Sequence, residues 1–190
     1  MPAKPAASRV PRYDRTAAAI LDAAAHALSE HGSSTNMADV AAAAGVSRAT
    51  LYRYYPDREA LLDALASHAL AEAAARLADA GLERAPVEEA IERIVRALTA
   101  VGDRYAVLLR EQIKVDPAET DRLVAAPMRA VFARGVESGF FRQDVPAEVL
   151  LELFGGALVA ALKLIERGQL GVEEASAAAA SIFLDGARTR

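Results

Sequence analysis

The chain has 190 residues, 53% hydrophobic and only 5% aromatic, with no cysteine, no tryptophan and a net charge of -4. That length supports one large domain or two small ones with a sizeable core. The missing cysteine excludes a disulfide frame, a thiolate metal site and a cysteine nucleophile. Alanine supplies about a quarter of the residues and no alternating Val/Ile/Thr-rich run occurs, so the expected fold class is all-α.

Charge is uneven. Residues 1–60 carry seven Lys/Arg against six Asp/Glu, the remainder fifteen against twenty, and the first fifteen residues hold four basic side chains against Asp14. A basic arm and a near-neutral head on an acidic body fit an anionic partner at the N-terminal end. The opening MPAKPAASRVPRYDR lacks the apolar stretch of a signal peptide. No apolar run reaches the roughly 18 residues of a membrane span. A soluble, cytoplasmic protein with no membrane partner is expected.

In chain order, residues 1–11 hold three prolines and read as a disordered basic arm. Helical spacing of Ala17, Ile20, Leu21, Ala24 and Leu28 predicts a helix over about 13–31, ended at Gly32. Thr35 is the expected N-cap of a second helix over 36–44, and Gly45 stops it. Ser47 caps a third, 48–54. Pro56 and Asp57 then introduce a long fourth helix, 58–80, closed by Gly81. Further helices are expected over 87–102, 104–114, 117–137, 147–167 and 172–187, about nine in total. "ESGFFRQDVP" reads as a turn with an apolar tip.

Two short helices joined through Gly45 match a helix-turn-helix. On the second, Leu51 and Tyr55 share a face and join Val40 and Val46 in a small core. That leaves Arg48, Ala49, Tyr52 and Arg53 facing outward, an odd surface against water but a suitable one against DNA. Arginine can reach guanine O6/N7, Ala49 admits close approach and a thymine methyl, and tyrosine hydroxyls can bond phosphates. Ser47 adds helix N-terminal amides for a phosphate.

Residues 16–65, TAAAILDAAAHALSEHGSSTNMADVAAAAGVSRATLYRYYPDREALLDAL, resemble the DNA-binding domain of the TetR family of bacterial transcriptional regulators. The ordered parts HG, a Thr cap, DVAAAAGVS, TLYRYY and REALL carry the likeness. The resemblance implies an all-α homodimer, a double-stranded DNA operator with two half-sites, and a small-molecule effector bound in the larger domain. It places phosphate contacts at Thr35 and Tyr54, a reading surface at Arg48, Ala49, Thr50 and Tyr52, and a further phosphate contact at Arg58. Ala49 departs from a common glycine. Tyr55 departs from a common phenylalanine, so its hydroxyl needs a partner.

The domain reading is an arm (1–11), a DNA-binding domain (12–57) and a ligand-binding and dimerisation domain (58–190). Large apolar and aromatic side chains with polar neighbours suit an apolar cavity: Tyr105, Leu108, Leu109 and Gln112 beside Met128, Phe132 and Phe154. Helix 147–167 is apolar over most of its circumference, more than a monomer buries. The expected dimer interface is Leu151, Phe154, Gly155, Leu158, Ala161 and Leu162, with Ile182 from the last helix. A body that only dimerises, without an effector, is the alternative. Enzyme chemistry is not expected. His26, His31 and His68 lack metal-ligand spacing and read as surface or cap residues, HExxH is absent, and no glycine loop cradles phosphate. No metal and no cofactor are expected.

Overall fold

The computed structural model describes residues 15–101 and 115–189. The arm, the first residues of the opening helix and the expected helix 104–114 lie outside them. The described residues form eight helices and no strand beyond one isolated bridge, Phe141 to Arg188. They are α1 (Arg15–His31), α2 (Met37–Ala43), α3 (Arg48–Tyr54), α4 (Arg58–Asp79), α5 (Val87–Thr99), α6 (117–137), α7 (Ala147–Glu166) and α8 (Val172–Ala187).

The helix starts are set by side chains that satisfy the orphan amides of the first turn. Ser47 accepts the Thr50 N–H at 3.1 Å and Asp57 accepts the Ala60 N–H at 2.7 Å. At α2 the expected cap is corrected. Asn36, not Thr35, is the N-cap: it accepts from Ala38 N and Asp39 N while Asp39 accepts the Asn36 N–H at 2.9 Å, a reciprocal capping box. Between α2 and α3, Gly45 takes φ 64°. Val46 N bonds Ala41 O at 3.0 Å and Gly45 N bonds Ala42 O at 3.1 Å, the paired closure that a left-handed residue permits.

α6 is continuous but not uniform. Pro117–Thr120 and Ala126–Glu137 are α-helical, and Asp121–Ala125 between them is a π turn. Pro127 explains the defect. It has no N–H, and its ring would clash with the Leu123 carbonyl of a regular helix, so the turn before it widens.

Two cores form. The head core joins α1, α2 and α3 through Ile20, Leu21, Leu28, Val40, Leu51 and Tyr55. It also takes in α4 as far as Ala69, so this packing unit passes the expected boundary at residue 57. The body core begins at Leu77 and unites α5 to α8 around Phe132, Phe141 and Phe154. Phe141 corrects the apolar tip: it is fully buried, its ring centroid 5.4 Å from that of Phe132. Gly135 makes room for it, since a Cβ there would meet the Phe141 ring at 2.3 Å. One helix, α4, is therefore built into both cores.

Candidate nucleic-acid interface

α3 reads RATLYRY, two arginines and no acid. Its inner face is Leu51, fully buried, extended by Tyr55 just past its end. Burying one leucine is worth about 1.5–3 kcal/mol, so the inner face fixes which way the helix is rolled. Arg48, Ala49, Tyr52 and Arg53 are consequently all exposed, Tyr52 at 47%. Thr50 is half-buried beside them, its hydroxyl 2.9 Å from that of Ser47. Ser47 itself is exposed but its hydroxyl is engaged in the cap.

The three tyrosines divide their roles. Tyr52 points outward. Tyr54 is half-buried and carries Arg53, one of the outward-facing residues of α3, above its ring at 5.3 Å, a cation–π contact. Tyr55 is core, and its hydroxyl finds the partner it needs in the Ala17 carbonyl at 3.4 Å. Arg58, at the head of α4, sits half-buried by a crevice it shares with Asn36 and Met37 of the α2 start. Thr35 is corrected as a phosphate contact. It is 5% exposed, and its hydroxyl donates to Ala27 O at 3.0 Å, tying α1 to the start of α2.

A cavity of about 500 Å³ lies in the body. α4 contributes Ala66, Leu70 and Ala73, and α5 contributes Leu98, followed by Val101. Val115, α6 residues Thr120, Asp121, Val124, Ala125, Met128 and Arg129, and α7 residues Leu151, Glu152, Gly155, Leu158, Val159 and Leu162 complete it. Its lining is mostly apolar, with an Asp121–Arg129 ion pair at 2.6 Å and Glu152 as the charged groups. Met128 is among the lining residues. Phe132 and Phe154 are not: both are fully buried in the aromatic cluster with Phe141 and Phe183. Tyr105, Leu108, Leu109 and Gln112 fall outside the described residues. The α4 wall of alanines was missed; an alanine and leucine stripe at helical spacing is its signal, because small side chains leave space between helices.

The expected dimer face is also corrected. Phe154, Leu158, Ala161 and Leu162 are buried inside the protomer, and Leu151 and Gly155 face the cavity. The apolar residues α7 leaves outside are Val149 (46% exposed) and Leu153 (61%), in line with exposed Gly156 and Ala160. Ile182 on α8 is 74% exposed. Among the described residues no group of three or more His, Cys, Asp or Glu could hold a metal, and no helix is long and apolar enough to cross a membrane.

A seven-residue basic helix, rolled by a buried leucine so that its arginines and Tyr52 face out, and set by a glycine turn against a partner of the same length, forms a helix-turn-helix, the motif that lays its second helix in the DNA major groove. Residues 20–65 match the model of the tetR family of bacterial regulatory proteins. Over that segment the chain is similar to the family. It is 45% identical over 94 residues to the transcriptional repressor LfrR of Mycolicibacterium smegmatis, a match spanning 47% of each chain. It is 28% identical over 155 residues to the transcriptional regulator NfxB of Pseudomonas aeruginosa, covering 78% of this chain and 82% of that one. The solved structure of LfrR in complex with proflavine superposes with a TM-score of 0.76 at 28% identity, over 93% of this chain and 99% of that chain.

Proposed function

We propose that the protein is a transcriptional repressor that grips a double-stranded operator as a homodimer and releases it when a small apolar or amphipathic molecule fills the body cavity. The observation that carries this reading is the position of α4. One end lies in the core that rolls the recognition helix, and its middle walls the cavity through Ala66, Leu70 and Ala73. The cavity favours this over a body that only dimerises.

Two recognition helices dock together when they are one DNA turn apart, about 34–36 Å. In α4, 22 residues span about 33 Å, and Leu70 lies about 15 Å from its body end. A ligand that moves Leu70 by about 1 Å therefore moves Arg58 by about 2 Å, and both heads shift at once. The molecule shifts the equilibrium only by its preference for the displaced state. Val149, Leu153, Gly156 and Ala160 of α7, with Ile182 of α8, form the self-complementary dimer surface in this reading. Selection of binding sites from random duplexes tests it. The expected product is an inverted repeat with half-site centres one turn apart, bound by dimers; an enriched single site bound by monomers overturns it.

A further inference from the structure

α4 ends at Asp79, and the chain turns through Gly81 to reach α5. The last carbonyls of a helix have no partner within it. Here two guanidinium groups hold four carbonyls of the helix end and turn. Arg93 donates Nη1 to Ala80 O at 2.6 Å and is itself oriented by Glu89 at 2.8 Å. Arg134 donates Nη1 to Glu83 O and Nη2 to both Leu82 O and Ala85 O, each at 2.9 Å. A cation placed at a helix C-terminus also meets the negative end of its dipole. Arg134 belongs to α6, the helix whose π turn packs against the middle of α4 and lines the cavity. α6 thus touches α4 where a ligand pushes, and through Arg134 it also holds the turn that follows the end of α4.

We propose that Arg134, assisted by Arg93, is the positioning residue that fixes the pivot of α4. The proposal rests on the reading that α4 relays cavity occupancy to the heads. A lever transmits a defined displacement only about a fixed fulcrum. A guanidinium suits that task because its donors form a rigid planar fork, so three carbonyls fix orientation as well as position; lysine offers a rotatable point donor. With the fork removed, a 10° looseness at the turn lets the Arg58 end wander by about 6 Å over a helix of about 33 Å. That exceeds the roughly 2 Å that the cavity delivers, and the signal is lost.

Because the chain has no cysteine, introduced ones are its sole spin-label sites. Labels at Glu59→Cys, on the head end of α4, and Glu174→Cys, on α8, are both exposed positions. Pulsed dipolar spectroscopy on the full chain, diluted with unlabelled protein, reads the distance within one protomer. The expected result is one narrow distribution with Arg134 present, a distribution at least about 5 Å broader with Arg134→Met, and an intermediate width with Arg134→Lys. Leu184→Ala, which opens the body core but leaves every carbonyl contact of Arg93 and Arg134 in place, is expected to lower the melting temperature without broadening. An unchanged width in Arg134→Met, or equal broadening in Leu184→Ala, overturns the proposal. If Arg134→Met does not fold, Arg93→Met removes the Ala80 contact together with the exposed Glu89 pair, leaves the Arg134 fork in place, and is expected to broaden less; no broadening there overturns it equally. The measurement needs neither DNA nor effector, so its failure and that of operator binding are separately visible.

Discussion

Gly45→Ala isolates the turn that sets α3 against α2. Gly45 has φ 64°, and a Cβ built there meets nothing within 4 Å. The cost is therefore backbone alone, about 1–2 kcal/mol for a left-handed alanine. For a chain of this size that corresponds to a fall of about 2–8 °C in melting temperature. Asparagine tolerates the left-handed region, so Gly45→Asn should recover most of the loss. Gly135 supplies the contrast. There the obstacle is the Phe141 ring at 2.3 Å, so Gly135→Ala overpacks the core by about 1–3 kcal/mol and Gly135→Asn is worse. Calorimetry of the four variants reads both orders. Gly45→Ala as stable as wild type, or Gly45→Asn less stable than Gly45→Ala, would refute the reasoning, because either would mean that the turn does not need a left-handed residue.

Arg48→Ala and Tyr52→Ala should leave unfolding free energy within about 0.5 kcal/mol of wild type, as exposed positions do. Arg48→Ala should cost about 1–3 kcal/mol of operator discrimination per half-site, read by fluorescence anisotropy on selected and scrambled duplexes; equal binding by Arg48→Ala removes that residue from the reading surface. Leu153→Glu places a charge on the exposed α7 stripe and should give soluble monomers by light scattering with weakened operator binding, whereas an unaffected dimer assigns the interface elsewhere. Tyr55→Phe removes a long 3.4 Å hydrogen bond to a carbonyl within α1, so stability should change by less than about 1 kcal/mol in urea titration; a larger loss would show that the hydroxyl anchors the head.

The head was legible because its signals are local. Ser47, Gly45, Asp57 and the Leu51 spacing each act within a few residues, and α3 begins and ends where they place it. Thr35 was misjudged because three adjacent residues, Ser34, Thr35 and Asn36, can all cap. The choice turned on Asp39 completing the box and on Ala27 claiming the threonine hydroxyl. The body was legible as helices but not as faces. α7 is apolar nearly all round, so its periodicity carries no phase, and the side turned inward was set by packing against α6 and α8. Aromatic type likewise did not separate cavity wall from core. Phe132 and Phe154 went to a cluster completed by Phe141, whose place depends on Gly135. The π turn has a local cause in Pro127, but its position on the cavity wall is a tertiary fact.

The central claim is that filling the cavity and holding the operator exclude one another through α4. A linkage titration tests it most directly. Molecules are first chosen only because they bind the wild-type chain and fail to bind Leu158→Trp, which crowds the cavity wall. Operator affinity is then measured with and without each molecule, and the molecule's affinity with and without operator. The account predicts that operator binding weakens at least about tenfold and that the molecule's own affinity falls by the same factor on operator-bound protein, as reciprocal coupling requires. A molecule that occupies the cavity and leaves operator affinity unchanged contradicts the account.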